Sequence, residues 1–167
     1  MIEGSTQSRI GVIGGSGIYD IDGLEDARWE AVDSPFGAPS DALRTGVLDG
    51  QAIAFLPRHG RGHRLPPGAV NYRANIDALK RLGVTDIVSL SAVGSFRESL
   101  APGAFVIIDQ FIDRTFARAK SFFGAGLAAH VSMAHPVCGR IGDALAAAAG
   151  SAEVEVVRGG TYLVMEG

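Results

Sequence analysis

Apolar residues fall into short runs of strand length along the chain, and two stretches with helical spacing separate them. The runs predict strands at 9–13, 28–33, 43–48, 52–56, 85–90, 104–112, 153–157 and 161–165. Helical spacing occurs in 71–82 and in the alanine-rich stretch 140–149. The first helix is predicted to have an apolar face made of Ala74, Ile76, Ala78, Leu79 and Leu82. Because strands and helices interleave, the pattern predicts an α/β fold.

Turn and cap residues mark the ends of several of these elements. Asp49-Gly50 stands between two apolar runs and predicts a hairpin, because this pair suits the tight turn that hairpins prefer. The stretch Pro57–Pro67 breaks regular structure. Asn71 suits the position before the first helix, where a side-chain oxygen can accept a hydrogen bond from the first turn.

Length, charge and cysteine content narrow the class of protein. The chain has 167 residues, and we expect a flexible leader over 1–8 followed by a single domain over 9–167. A formal net charge of -3 without a run of Lys or Arg argues against nucleic acid and membranes as partners. One cysteine, no signal-peptide core and no apolar run of membrane-spanning length predict a cytoplasmic protein.

Three turns that follow predicted strands carry hydrogen-bond donors. The first, Gly14–Gly17, contains Ser16 and can form either a plain tight turn or a nest of backbone N–H groups that binds an anion. The second, Ser91–Ser95, exposes N–H groups and a hydroxyl where ligands bind in α/β sheets, although a compact turn without a ligand explains it equally well. Neither turn has the spacing of a Walker A loop or of a serine hydrolase elbow.

The third turn, 58–64, is the most cationic part of the chain, with three arginines and two histidines in seven residues. Guanidinium groups match phosphate geometry, so this segment favours an anion site over a solvated basic loop. Two histidines without a carboxylate or cysteine at ligand spacing make a poor zinc site. If the three turns converge on one point, they form a cradle for a single phosphate.

Six segments resemble the 5′-methylthioadenosine phosphorylases, which are purine nucleoside phosphorylases. They are GVIGGSG at 11–17, SPFGAPSDA at 34–42, RHG at 58–60, VNYRAN at 70–75, SAVGS at 91–95 and IIDQFIDRT at 107–115. The segments occur in the family's order and are spread over residues 11–115. The last of them is specific, whereas the glycine turn alone is not.

The resemblance implies a three-layer α/β/α nucleoside phosphorylase fold with a mixed central sheet, assembled as a homotrimer or a dimer of trimers. It implies that inorganic phosphate attacks C1′ of 5′-methylthioadenosine and expels adenine, with no metal and no organic cofactor. By position, the residues that resemble the family's phosphate-binding set are Ser16, Arg58, His59, Ser91 and Ala92. Tyr72, Asn75 and His130 resemble substrate-binding residues, and His130 resembles one that reaches a neighbouring subunit's site.

The sequence departs from the family after Glu166-Gly167, where the family continues with residues that hold and protonate the purine. We therefore expect a truncated domain with the site for the nucleophile and without the acid. Three alternatives stay open at this point. They are a methylthioinosine or general purine nucleoside phosphorylase, a hydrolytic nucleosidase of related fold, and a phosphate-binding module without activity.

These 167 residues alone are predicted not to cleave 5′-methylthioadenosine, because the departing purine lacks a proton donor. The measurement is adenine release in the presence of phosphate. Sustained turnover by this chain would show that the family's remaining residues are dispensable.

Overall fold

The computed structural model describes residues 8–15 and 20–166. The chain divides into two compact units, Met1–Ala92 and Val93–Gly167. Most of the expected leader, residues 1–7, and the proposed phosphate ligand Ser16 lie outside the described residues. The assignment of 9–167 to one domain stays a prediction.

The first unit is built on a five-stranded mixed sheet. Its strands are β1 (Arg9–Gly14), β2 (Glu25–Glu30), β3 (Leu43–Leu48), β4 (Gln51–Pro57) and β5 (Val84–Ser89). They lie in the order β2-β3-β4-β1-β5. β1 pairs in parallel with both β4 and β5, whereas the pairs β2–β3 and β3–β4 are antiparallel. The predicted α/β class with a mixed central sheet is therefore confirmed.

The hairpin between β3 and β4 turns where the sequence predicts it. Asp49 has φ 47° and Gly50 has φ 76°, so both central residues of the turn are left-handed, as in the turn type that matches strand twist. The predicted strand at 28–33 is shifted, because β2 begins at Glu25 and ends at Glu30. β2 is a sheet edge with an irregular register between Glu25 and Arg28, and its polar sequence gives little signal for its bounds.

The helix α1 (Tyr72–Arg81) packs on the core of the first unit. As predicted, Asn71 caps it by accepting a hydrogen bond from the Ala74 N–H at 3.1 Å. The buried apolar cluster of this unit consists of Leu43, Ala54, Leu56, Ala78 and Leu79. Ile76, which the sequence assigned to the same face, is exposed. Two residues along a helix span about 200°, so Ile76 cannot share a face with both Ala74 and Ala78.

The described part of the second unit contains two short parallel strand pairs and one helix. Its elements are β6 (Phe105–Ile107), β7 (Gln110–Arg114), α2 (Gly139–Ser151), β8 (Val156–Arg158) and β9 (Thr161–Met165). β6 pairs with β8, and β7 pairs with β9. Between β7 and α2 the described backbone forms neither helix nor strand. No described helix is long and apolar enough to cross a membrane.

The single strand predicted at 104–112 is wrong, because the structure divides it into β6 and β7. The break at Asp109 lies opposite a break at Gly159-Gly160 in the partner segment. Asp109 and Gln110 both donate backbone hydrogen bonds to the Gly160 carbonyl, and the Asp109 carboxylate accepts the Gly160 N–H at 3.1 Å. The run 104–112 contains no Gly or Pro that would end a strand. Its break therefore results from a tertiary contact, namely the pairing with the irregular segment at Gly159-Gly160.

Leu79→Ala is predicted to lower the free energy of unfolding by about 2–5 kcal/mol, because it opens a cavity in a fully buried site. Ile76→Ala on the same helix is expected to cost about 1 kcal/mol or less, since that side chain is exposed. Urea unfolding followed by circular dichroism measures both. Equal losses for the two variants would contradict the orientation of α1.

Candidate functional site

The tips of three parallel strands meet at one edge of the first sheet. The Arg58 N–H, just after β4, donates to the Gly14 carbonyl at the end of β1 at 2.9 Å. The Leu90 N–H, just after β5, donates to the Ile13 carbonyl at 2.8 Å. Parallel strands place their carboxyl ends at the same edge, where ligands bind in α/β sheets. The segments that follow the three strands therefore start side by side.

The Arg58 side chain bridges two of these tips. Its Nη1 donates to the Ser91 hydroxyl oxygen at 3.0 Å and contacts the Leu90 carbonyl at 3.3 Å. Arg58 is half-buried, whereas Ser91 and Ala92 are exposed. A positive charge and a hydroxyl thus lie together at an accessible sheet edge, which is an arrangement that can bind an oxyanion.

His59 is oriented through both ring nitrogens. Nδ1 lies 2.9 Å from the Leu65 carbonyl, which can only accept, so we assign the ring proton to Nδ1. Nε2 then accepts from Nε of Arg58 at 3.4 Å. The ring also stacks on His63, with the centroids 4.5 Å apart. The histidine thus holds its own loop closed and contacts the guanidinium at the strand tips.

The other two arginines of the cationic segment turn to a carboxylate. Arg61 donates to Asp41 through its backbone N–H at 2.7 Å and through Nη2 at 2.9 Å. Arg64 lies 3.5 Å from the same carboxylate and donates to the Ser40 carbonyl at 2.7 Å. From the sequence, all three arginines of this segment were predicted to contribute to an anion site. In the structure, Arg61 and Arg64 instead form ion pairs with Asp41.

The ionisation of Asp41 reflects this environment. Burial raises the pKa of its carboxyl group, but hydrogen bonds from the Arg61 side chain and from the Arg61 and Ala42 N–H groups outweigh burial and lower the pKa to about 2. The Asp41 side chain is only 7% exposed. It is therefore a charged group at neutral pH whose counter-charges lie in the cationic loop.

The start of α1 holds the loop that carries Asp41. The Asn75 side chain is buried and accepts from the Ser40 N–H at 2.8 Å while donating to the Ser40 hydroxyl at 2.9 Å. Asn71 donates to the Phe36 carbonyl at 2.8 Å. The structure thus places Asn75 in a buried structural contact, and its assignment to the substrate site stays a prediction.

The remaining predicted site residues are spread over both units. Tyr72 is in the first turn of α1, with its hydroxyl 3.5 Å from the Pro67 carbonyl. His130 lies in the irregular segment of the second unit and is exposed. Of the predicted phosphate ligands, the structure brings Arg58, His59 and Ser91 together, with Ala92 next in the chain. Their roles as ligands stay predictions.

Asp41 is the residue that reasoning from the sequence missed. It stands at the end of the loop 34–42 and far in sequence from the arginines that it contacts. The sequence feature that could have indicated such a residue is the cluster of cations at 58–64. In a chain of negative net charge, this cluster predicts a carboxylate nearby. Among the described residues, no three His, Cys, Asp or Glu side chains form a group that could hold a metal ion.

Comparisons with known proteins agree on one family. A family profile described as the phosphorylase superfamily matches residues 9–167. The S-methyl-5'-thioadenosine phosphorylase of Cereibacter sphaeroides is 68% identical over 161 residues, which are 96% of this chain and 56% of that protein. The enzyme of the same name from Rhodospirillum rubrum is 65% identical over 167 residues, or 100% of this chain and 57% of that protein.

Solved structures give the same result. A methylthioadenosine phosphorylase from an antarctic soil metagenomic library matches with a TM-score of 0.90 and 48% identity, over 97% of this chain and 57% of that one. The methylthioadenosine phosphorylase of Schistosoma mansoni in complex with tubercidin matches with a TM-score of 0.89 and 37% identity, over 96% of this chain and 64% of that one. The chain therefore spans little more than half the length of several of the proteins it matches.

Asp41→Asn is predicted to destabilise the first unit by about 2 kcal/mol at neutral pH, the equivalent of lowering a carboxyl pKa from 3.8 to about 2. Because the pKa of Asp41 is lower in the folded state, its ionisation stabilises the fold at pH values above the pKa of the unfolded chain. The difference from the parent is thus constant at neutral pH and shrinks as the pH falls from about 4 toward 2. Urea unfolding at several pH values measures it, and a difference that does not change with pH would contradict the assignment.

Proposed function

Because the chain belongs to the phosphorylase superfamily, we propose that it forms the phosphate-binding part of a 5′-methylthioadenosine phosphorylase. The reaction cleaves the N-glycosidic bond and gives adenine and 5-methylthioribose 1-phosphate. Two relatives with 65% identity or more carry that enzyme's name. In the same proposal, inorganic phosphate is the co-substrate and no metal or organic cofactor takes part.

The chemistry depends on where charge develops. As the bond from C1′ to the purine nitrogen breaks, its electron pair leaves with the base and the ribosyl group becomes positively charged. A phosphate dianion held below the ring stabilises that cation and then forms the new bond from its oxygen to C1′. The departing purine takes up a proton at N7. The protein must therefore hold phosphate firmly and in one orientation.

The observation that carries this proposal is the Arg58 bridge. Its Nη1 donates to the Ser91 hydroxyl at 3.0 Å, and its backbone N–H donates to Gly14 at 2.9 Å. One residue therefore connects the tips of all three parallel strands. We assign phosphate binding to Arg58, His59, Ser91 and Ala92, and to Ser16 in the turn after β1.

The nucleoside is the second ligand of the proposal. The Schistosoma mansoni relative has been solved in complex with tubercidin and in complex with adenine, so a structural neighbour of this chain binds these two compounds. We assign Tyr72 and Asn75 to the nucleoside side of the site, and His130 to the nucleoside side of a neighbouring subunit's site. We further propose a cytoplasmic enzyme that assembles as a homotrimer or a dimer of trimers. The exposed apolar side chains of Phe96, Phe116 and Val131 support association with another polypeptide surface.

Arg58→Ala is predicted to weaken the binding of inorganic phosphate at least about tenfold, because charge-assisted hydrogen bonds are lost. Arg58→Lys keeps the charge without the planar fork and is expected to recover only part of the affinity. Calorimetric titration of this chain with phosphate measures both. Arg28→Ala is the matched control, because it removes an exposed arginine of the edge strand β2.

Turnover is tested in a chimera in which residues 1–167 replace the matching part of the Rhodospirillum rubrum relative, which is 65% identical over those residues. We expect adenine release from 5′-methylthioadenosine that requires phosphate and decreases in the Arg58 variants. Release that proceeds equally without phosphate would identify a hydrolytic nucleosidase instead. Phosphate binding without turnover in an active scaffold would favour a binding module.

A further inference from the structure

We propose that Asp41 is a positioning residue of the phosphate site. Its carboxylate fastens the loop 58–65 so that Arg58 and His59 stay at the strand tips. Asp41 itself does not serve as a phosphate ligand, because a carboxylate repels the anion. The consequence for phosphate rests on the proposed function, whereas the fastening of the loop can be measured without it.

The first step is the contact between Asp41 and Arg61. The carboxylate accepts the Arg61 backbone N–H at 2.7 Å, Nη2 at 2.9 Å and Nε at 3.3 Å. One acceptor group therefore holds both the main chain and the guanidinium fork of the same residue. Such a pair of contacts defines the position of the backbone as well as that of the side chain.

The second step is the path from Arg61 to His59. The Leu65 N–H donates to the His59 carbonyl at 2.9 Å, and the His63 N–H donates to the Gly60 carbonyl at 3.1 Å. The His59 ring adds its own hydrogen bond to the Leu65 carbonyl at 2.9 Å. The loop is thus a small closed structure, and a displacement at Arg61 is transmitted to the imidazole beside Arg58.

The third step is the rigidity of the anchor. Asp41 follows the buried Ser40, which hydrogen-bonds to Asn75 of α1 at 2.8 and 2.9 Å. It precedes Leu43, a fully buried residue at the start of β3. The carboxylate also accepts the Ala42 N–H at 2.9 Å. The loop is therefore fastened to the core of the unit, through a side chain that is 7% exposed.

The fourth step concerns charge. Asp41 pairs with Arg61 and Arg64, so its loss removes the carboxylate that balances two cations that are about half exposed. These unbalanced charges attract phosphate without positioning it, and this attraction is screened over about 10 Å at 0.1 M salt. Loss of loop order weakens specific binding at any salt concentration. The two effects have opposite signs and separate when affinity is measured at low and at high salt.

The experiment compares Asp41→Asn with the parent and with Asp49→Asn as the matched control. Asp49→Asn removes the same charge, but it creates an Asn-Gly pair that suits the hairpin turn. Hydrogen exchange of the Gly60, His63 and Leu65 amides is measured in this chain, with ¹⁵N NMR of the His59 ring. We expect Asp41→Asn to speed exchange of these amides at least about tenfold. We also expect it to lower the fraction of His59 that carries its ring proton on Nδ1. Neither quantity is expected to change in the control.

Phosphate binding is the second readout of the same variants. At about 0.5 M salt, where the unbalanced charges of Arg61 and Arg64 are screened, Asp41→Asn is expected to raise the Kd for inorganic phosphate about five- to tenfold. In the chimera with the Rhodospirillum rubrum relative, KM for phosphate rises in the same proportion, while KM for the nucleoside stays within about twofold. Equal changes in both KM values would identify a general structural defect and overturn the proposal.

Two further, conservative variants test the proposal in case Asp41→Asn does not fold. Arg61→Lys keeps the charge of a half-exposed side chain and loses the fork, and it is expected to show the same pattern at smaller size. Asp41→Glu keeps the carboxylate and is expected to restore part of the amide protection. Unchanged exchange and an unchanged His59 ring in both Asp41→Asn and Arg61→Lys would overturn the fastening. If the parent chain binds no phosphate, the proposed function fails, and hydrogen exchange alone still decides the role of Asp41.

Discussion

The parallel pairing of β1 with β4 and β5 is the constraint on which the candidate site depends. It is a backbone interaction that is continuous toward β4 and, toward β5, regular from Ile10 onward, and it brings the ends of the three strands to one edge. Because the Arg58 N–H continues this ladder to Gly14, the arginine leaves the sheet at a defined point. Its side chain then reaches past the tip of β1 to Ser91, which follows β5. The functional side chains of the site are thus positioned by backbone hydrogen bonds, which do not depend on the identity of the side chains.

A second constraint is the distribution of charge in the cationic loop. Three guanidinium groups that point at one spot would repel one another and would attract any anion without selecting its orientation. Asp41 takes up two of these charges and uses them to hold the loop. Arg58 remains at the strand tips and contacts a hydroxyl and an imidazole. The loop therefore uses most of its positive charge for its own structure and presents the rest to the site.

In the second unit, the bounds of the strands depend on the strands with which they pair. Its strands are short, its sheets contain two strands each, and large apolar side chains such as Phe96 and Val131 are exposed. Two-stranded sheets bury little apolar surface and are seldom stable alone. Strand pairing inside this unit, with its matched breaks at Asp109 and Gly160, decides where the elements end.

The sequence by itself determined the order of the elements, the Asp49-Gly50 hairpin, the Asn71 cap and the segments that carry donors, because these follow from local backbone preferences and side-chain spacing. It did not determine that the run 104–112 is broken, since pairing with another segment decides this, whereas the exposure of Ile76 follows from helical spacing that the predicted apolar face did not respect. Nor did it show that Asp41 pairs with Arg61 and Arg64, because a contact between distant residues depends on how the chain folds. Family resemblance supplied the proposed ligands, while tertiary structure decided which of them lie within hydrogen-bond distance of each other.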